Sequence, residues 1–517
     1  MRCAGHKKQR MNMNDKGNPQ LQLAFDFVRY TNQNIFLTGK AGTGKTTFLK
    51  SLKRASPKRM VVVAPTGVAA INAEGVTIHS FFQMPFGPQI PRESSPGTDL
   101  AGTENPASVR RFSKDKVNMI RSLDLLIIDE ISMVRADLLD GIDDVLRRYR
   151  DRNKPFGGIQ LLMIGDLQQL APVVKEEEWD ILKAYYDTCY FFSSRALRQS
   201  SFVSIELKHI YRQSDEKFIR LLNQIRENKA DVTVLNELNK RCIPGFQPAD
   251  EEGYITLTTH NYQAQEINQY KLEKINKKTF VFKAGVTGEF PEYMFPTEVE
   301  LTLKTGAQVM FVKNDSSSEK RYYNGKIGRI TRMDKDRITV QCEKDQEPID
   351  ANREEWQNIR YELNKETREI EEIVIGTFEQ FPLKLAWAIT IHKSQGLTFE
   401  KAIINARQSF AHGQVYVALS RCKTLEGLVL STPIGLHSIR TDSTVISFTS
   451  GVEQNQPGER ELMESRKSYQ QKLLTELFDF KPVLWQIQYL LKLCNEHGAL
   501  LLGDLTSRLQ TIIPLLK

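Results

Sequence analysis

Cysteine pairs are missing from this 517-residue chain. Its six cysteines, Cys3, Cys189, Cys242, Cys342, Cys422 and Cys494, stand singly, with no C-x-x-C among them. That spacing argues against structural zinc and iron–sulfur sites, and scattered thiols in a long chain fit a reducing compartment. Long apolar runs are also missing: no stretch approaches the length of a membrane span, so no membrane partner is expected. Residues 1–18 are polar and basic without an apolar h-region, which reads as a disordered leader rather than a signal peptide. Internal repeats are absent, and the one low-complexity run is Ser316–Ser318. Charge is only mildly one-sided. A formal net charge of +8 suits a polyanionic partner, and equally a basic protein without one.

What the chain does contain is Gly39-Lys40-Ala41-Gly42-Thr43-Gly44-Lys45-Thr46, a phosphate-binding loop G-x-x-x-x-G-K-[ST] without a mismatch. An apolar strand, Asn34–Thr38, precedes it, and a helix begins at Thr47. Glycines let the backbone turn its N–H groups onto a phosphate, and the helix N-terminus adds its positive dipole end. Lys45 would reach the β- and γ-phosphates of a nucleotide, and the Thr46 hydroxyl would hold Mg²⁺. A glycine-rich turn without a ligand is the alternative, disfavoured because strand, loop and helix occur in the required order.

The length implies two to four domains. Residues 19–200 alternate buried strands (Ile35–Thr38, Met60–Ala64, Leu123–Ile128, Gln160–Ile164) with helices, the pattern of a parallel α/β sheet. A polar, proline- and glycine-rich insert interrupts this unit at about 84–118. A second α/β unit spans 201–440, with strand runs Ser204–Leu207, Tyr254–Thr258, Leu385–Ile389 and Leu428–Ser431. Inside it, about 295–378 alternates as strands. Arg329–Met333 and Arg337–Cys342 flank an Asp334-Lys335-Asp336 turn, so the insert reads as a small β-barrel, and the charged stretch Glu354–Glu372 as a solvated loop or short helix. Gly451–Glu459 is linker-like. Beyond it, in 451–517, apolar stripes at Tyr469, Leu473, Leu477, Phe478 and at Val483, Ile487, Leu490, Leu491, Cys494 predict a helical bundle packing on itself or on the second unit, with a protein partner as its other use.

Leu125–Ile128 ends in two carboxylates. Asp129 would bind Mg²⁺ and Glu130 would polarise the attacking water. Gln169, in the segment that starts at Gly165 after the strand Gln160–Ile164, could sense the γ-phosphate. Arg212 and Arg421 belong to the second unit, yet charge develops on a phosphate held by the first; arginines supplied across a cleft are worth about 10³–10⁵ in related phosphoryl transfers. An ordinary surface salt bridge is the competing fate of each.

In order along 19–433, these motifs resemble superfamily 1B helicases of the petite-integration-frequency (PIF) family, relatives of RecD. Gly39–Thr46 resembles motif I, Ala64–Ala70 motif Ia, Thr77–Phe82 the signature after it, Asp129-Glu130 motif II, and Gly165–Val173 motif III. Arg212 falls in motif IV, Ile391–Gly396 in motif V and Val415–Arg421 in motif VI. Gln22 lies at the spacing of the family's adenine-reading glutamine, with Gln20 the weaker candidate. Ala171 departs from the family, which usually has proline there. The resemblance implies two RecA-like lobes with ATP between them, an inserted wedge, an inserted SH3-like barrel, and a single DNA strand across the lobe tops. It implies 5′→3′ unwinding from a single-stranded tail at duplex junctions by a monomer inside the cell, cytoplasmic or nuclear, and in some members removal of G-quadruplexes or RNA–DNA hybrids. The expected strand contacts are Pro65, Thr66, Gly67, His392, Lys393 and Ser394 on phosphates, and His79, Phe81 and Phe82 stacked on bases, with one of the two phenylalanines buried as core. His260, Asn261, Asn314 and Asn324 are the expected second-lobe lining. Thr47 and the backbone of Gly42, Thr43 and Gly44 complete the nucleotide cradle. A 3′→5′ superfamily 1A helicase and an ATP-gated scaffold that binds without separating strands are the rival readings.

Overall fold

The computed structural model describes residues 18–516 except 41, 92–111, 212–214, 250–251, 316, 318, 344, 365, 368, 406–412, 437–438, 440–441 and 498–503. The first lobe is a six-stranded, all-parallel sheet. Its strands are β1 (Asn34–Gly39), β2 (Met60–Ala64), β3 (Val76–Thr77), β4 (Leu125–Ile128), β5 (Gln160–Ile164) and β6 (Phe202–Leu207), in the order β3-β2-β4-β5-β1-β6. The strands are nearly continuous Val/Ile/Leu runs because helices cover both faces, and two apolar clusters fill those faces. Strand β6 corrects the boundary expected at 200/201. It pairs in parallel with β1 from Asn34↔Phe202 to Gly39↔Leu207 and so belongs to the first sheet.

The second sheet starts with β7 (Ile255–Thr258). The chain then leaves it for ten strands: β8 (Thr279–Lys283), β9 (Gly285–Gly288), β10 (Glu300–Lys304), β11 (Gln308–Phe311), β12 (Ile327–Met333), β13 (Ile338–Gln341), β14 (Ile349–Ala351), β15 (Glu354–Leu363), β16 (Ile370–Gln380) and β17 (Leu383–Leu385). It returns as β18 (Ala388–Thr390), β19 (Ala402–Ile404) and β20 (Leu428–Leu430), giving the parallel order β18-β7-β19-β20. The expected run Leu385–Ile389 is therefore divided between the insert and the lobe.

The insert is wider than 295–378. The antiparallel sheet β14-β13-β12-β11-β17 and the ribbon β10-β8 close over one apolar core that draws on Phe282, Leu301, Ile338 and Phe381. The β12–β13 hairpin turns where expected, with Asp334 N–H donating to the Arg337 carbonyl (3.0 Å). The stretch Glu354–Glu372 is neither loop nor helix. It forms most of the long β15–β16 hairpin, which pairs from Glu354↔Gln380 to Leu363↔Ile370 and leans on the first lobe. Tyr361 is buried in that lobe's core, Ile359, Leu363 and Ile370 pack beside it, and Lys53 pairs with Glu372 at 2.8 Å.

The helices Ser443–Gln454 and Glu459–Leu477 dock on the first lobe rather than the second, while Lys481–Glu496 and Leu505–Ile512 pack on each other as a bundle packing on itself would. The helix Ser443–Gln454 runs through the expected linker start at Gly451. Its Phe448 stacks on Phe192 at 4.4 Å and meets Phe36, Phe191 and Phe202. Gln456 then caps the sheet's edge by accepting from Glu206 N–H at 3.0 Å. The helix Glu459–Leu477 lies along Pro19–Tyr30, with Arg466 4.9 Å from the Tyr30 ring and Lys58 5.2 Å from the Tyr469 ring.

Candidate nucleotide site and nucleic-acid interface

The phosphate loop has the backbone its sequence demands. Gly39, Gly42 and Gly44 all have positive φ, and a Cβ on Gly39 would press within 2.8 Å of the Leu207 carbonyl. Gly44 caps the helix Lys45–Ala55. Thr43 is buried, its hydroxyl donating to the Lys40 carbonyl, while Thr46 and Thr47 stand exposed at the helix N-terminus. Lys45 Nζ donates to the Gly39 carbonyl (2.6 Å) and the Lys40 carbonyl (3.2 Å). Ala41 and Arg212 lie outside the described residues. Next to Arg212, however, Tyr211 N–H donates to the Gly42 carbonyl at 2.9 Å and its ring lies against Gly44, which puts an aromatic surface over the loop. Gln22 is exposed and bonded to Asp26 along its own helix, whereas Gln20 lines a recess of about 150 Å³ with Leu23, Ile205 and Lys208.

Asp129 and Glu130 emerge where β4 ends. Glu130 takes left-handed backbone angles (φ 52°, ψ 45°), which aim its carboxylate away from the strand line. Burial raises both acids above the ordinary carboxylate range; Glu130 raises Asp129 further, and Lys45 pulls both back. Arg421 also lowers Glu130, so a cation from each lobe faces this carboxylate. Divalent magnesium fits these residues. Among the described residues no cluster of three or more His, Cys, Asp or Glu can hold a metal alone, and Mg²⁺ typically needs only one or two carboxylates when phosphates complete its shell. Asp129 supplies a carboxylate and Thr46 an exposed hydroxyl.

Across the cleft, Arg421 is buried. Its guanidinium donates to the Val417 carbonyl (3.1 Å), the Ser394 and Leu397 carbonyls (3.4 Å each) and Gln169 Oε1 (3.5 Å). Gln169 in turn donates to Asp166 Oδ2 at 3.1 Å. Gln395, on the turn after β18, donates to Glu130 Oε2 at 2.9 Å. Gly413 packs directly on the first lobe: a Cβ there would stand 1.9 Å from the Gln169 carbonyl. A further link escaped the motif reading. Arg226, at the end of a helix in the second lobe's core, is buried against Asp166 (3.4 Å) and Glu206 (3.3 Å) of the first, and its neighbour Glu227 pairs with Lys40 at 3.6 Å. The amphipathic spacing of its helix, Glu216–Arg226, carries no mark of a buried cation, so the sequence alone did not single Arg226 out. Gln395 was visible as a motif letter without a role.

The expected strand contacts divide. Pro65, Thr66 and Gly67 follow β2, and Thr66 caps the next helix by accepting from Ala69 N–H (3.2 Å). Gly67 is buried under Tyr293 and Met294 of the insert. His392 is half-buried and Lys393 exposed beyond β18, while His260 and Asn261 open the helix after neighbouring β7, with exposed Tyr262 beside His260. Burial lowers the His392 pKa, and burial followed by Arg135 lowers that of His79. Asn314 accepts from Asn324 N–H at 2.8 Å, which ties these two candidates together.

Three candidates need correction. Phe81 and Phe82 are both core, 3% and 1% exposed, with Phe81 edge-on to Phe82 and to Tyr361 of the hairpin, so neither offers a face to a base. The exposed ring there is Phe86, stacked on His79 at 4.6 Å. Ser394 is fully buried, and its hydroxyl donates to the Ile391 carbonyl (2.7 Å), which shapes the turn rather than meeting phosphate.

The chain is similar to known proteins in sequence and fold. A family model described as PIF1-like helicase matches residues 21–234, and one described as DNA helicase, middle domain matches 461–517. The ATP-dependent DNA helicase Pif1 of Bdellovibrio bacteriovorus is 32% identical over 443 residues, 83% of this chain and 91% of that protein. The human ATP-dependent DNA helicase PIF1 is 34% identical over 80% of this chain, which spans 61% of the human protein. Bacteroides sp Pif1 in complex with ADP-AlF4 is 42% identical, with 84% of this chain and 97% of that one aligned at a TM-score of 0.76. Bacteroides Pif1 bound to ssDNA aligns over the same shares at 0.58, so the present arrangement follows the former more closely. The chain belongs to the Pif1 family of helicases.

Proposed function

We propose that this chain couples ATP hydrolysis to 5′→3′ movement along single-stranded DNA and unwinds duplexes from a 5′ tail. The observation that carries this reading is the cross-cleft pairing of Arg421 with Gln169 and of Gln395 with Glu130. ATP is seated on Gly39–Thr47, with Lys45 on its terminal phosphates and Tyr211 beside the loop. Thr46 and Asp129 would hold Mg²⁺, which would supply neutralisation of phosphate charge. A water attacks the γ-phosphorus, Glu130 takes its proton, the bond to the β-phosphate breaks, and Arg421, with Arg212 as the second expected arginine, offsets the charge that develops. Gln169, bonded to both Asp166 and Arg421, senses the loss of the γ-phosphate.

Each lobe would grip at the C-terminal ends of its strands: Pro65–Gly67 after β2 on the first, His260 and Asn261 after β7 and His392 and Lys393 after β18 on the second. Asn314 and Asn324 of the insert and His79 of the first lobe extend this lining. Tyr293 and Met294 must lift from Gly67 for a strand to lie across both lobes. Alternating strength of the two grips as the cleft opens and closes moves the strand. The proposal includes monomeric action at single-strand/duplex junctions inside the cell, on G-quadruplexes and RNA–DNA hybrids as well as plain duplex. Matched duplexes with a single 5′ or 3′ tail test it: displacement from the 5′ tail alone is expected, displacement from the 3′ tail alone overturns the polarity, and ATPase without displacement on either leaves an ATP-gated binder.

A further inference from the structure

The hydrogen bond from Gln395 to Glu130 is unusual in what it occupies. A general base needs a free lone pair directed at the attacking water. Here one Glu130 oxygen accepts a neutral amide from the opposite lobe at 2.9 Å, while the carboxylate already faces Lys45 and Arg421. Gln395 sits on a tightly self-bonded turn. Gln395 N–H donates to the His392 carbonyl (3.2 Å), Lys393 N–H to Thr390 Oγ1 (3.3 Å), Ser394 Oγ to the Ile391 carbonyl (2.7 Å), and Arg421 to the Ser394 carbonyl. The exposed Lys393 is two residues from Gln395. Gly396 follows at φ +80°, and a Cβ there would meet nothing within 4 Å.

We propose that Gln395 is a positioning residue that holds Glu130 away from its water while no strand is bound, and withdraws when Lys393 and His392 engage a strand phosphate. DNA stimulation of ATP hydrolysis then follows from release of the base rather than from its assembly. The inference rests on the helicase reading above. Because the turn is rigid within itself, a phosphate that draws Lys393 outward carries Gln395 with it.

Gln395→Met keeps the side chain's length and removes the donor; Gln395→Glu keeps its shape and cannot donate while ionised. With the full chain, ATPase is measured without DNA and with saturating single-stranded oligonucleotide. Both variants are expected to raise the DNA-free kcat about tenfold at unchanged KM for ATP, with the DNA-saturated kcat close to wild type, so the stimulation ratio collapses. A purely structural residue would not give that gain. If the DNA-free rate stays at the wild-type value, or both rates fall together in variants that still bind a fluorescent nucleotide, Gln395 does not restrain the base and the proposal is overturned. Wild-type ATPase that DNA leaves unchanged, with no strand displaced, would instead sink the helicase reading itself.

Discussion

Gly413→Ala is the sharpest probe of the closed cleft. Gly413 has φ +77° and precedes the helix Gln414–Ser420, whose C-terminal neighbour is Arg421. An added Cβ would lie 1.9 Å from the Gln169 carbonyl oxygen and 2.9 Å from that of Gln168. Non-bonded heavy atoms settle near about 3.5 Å, so the lobes must part here by more than about 1 Å. The same movement draws Arg421 from Gln169. A misplacement of about 1 Å typically costs about 10²-fold in rate, equivalent to about 2.7 kcal/mol on the barrier. Nucleotide affinity should change little, because the phosphate loop follows β1 in the first lobe. The assay is DNA-stimulated kcat alongside titration of a fluorescent nucleotide. Gly306→Ala serves as the control: φ is +95° with nothing within 4 Å, so it carries only left-handed strain, about 1 kcal/mol of stability, and should leave kcat unaltered. If Gly413→Ala showed wild-type DNA-stimulated turnover, the contact of Arg421 with Gln169 would not belong to the hydrolytic geometry.

Lys45→Ala should abolish turnover by a factor on the order of 10²–10³ or more while the fold, followed by circular dichroism, persists. Phe448→Ala should destabilise the first lobe by about 3 kcal/mol in urea unfolding, because the ring packs on Phe36, Phe191, Phe192 and Phe202; an unchanged midpoint would mean that the helix Ser443–Gln454 is not part of that lobe. Lys116 lies over the Phe81 ring at 3.4 Å, and burial, then Arg360, pushes its pKa down to about 7. The unfolded chain binds this proton up to the ordinary lysine range, so the penalty on the fold is complete below pH 7 and fades as pH rises from there toward 10.5. Lys116→Met should therefore raise the urea midpoint most at pH 6 and progressively less toward pH 10, and a gain independent of pH would refute the assignment.

What could be seen in the sequence depended on whether local pattern and tertiary role agreed. The strands β2, β4 and β5 are buried on both faces, and their apolar runs announced them with bounds correct to within a residue or two. The phosphate loop was legible because its glycines are required by backbone angles, which act at the level of single residues. The β15–β16 hairpin was not, because the two halves of β15 bury opposite faces. Trp356 packs with Phe378 in the insert's own cluster, whereas Tyr361, flanked by Ile359 and Leu363, packs in the first lobe's core, so the buried positions change from even to odd along the strand. Successive strand residues point to opposite faces, so the alternation breaks where the buried face changes, and neither half was long enough to outweigh the seven glutamates from Glu354 to Glu372. The strand β6 was assigned to the wrong lobe for a different reason. Sequence order places it after the first unit's last helix, while its partner β1 is some 170 residues earlier, and only parallel pairing reveals that. The same limit hid Arg226 and Gln395. Each acts on a carboxylate supplied by the other lobe, Asp166 and Glu130 respectively, and no periodicity within a single segment encodes a contact between two. The residues that hold this motor's halves together are thus the ones that linear pattern describes least, and they are also where substitutions should uncouple nucleotide turnover from the strand while both folds remain intact.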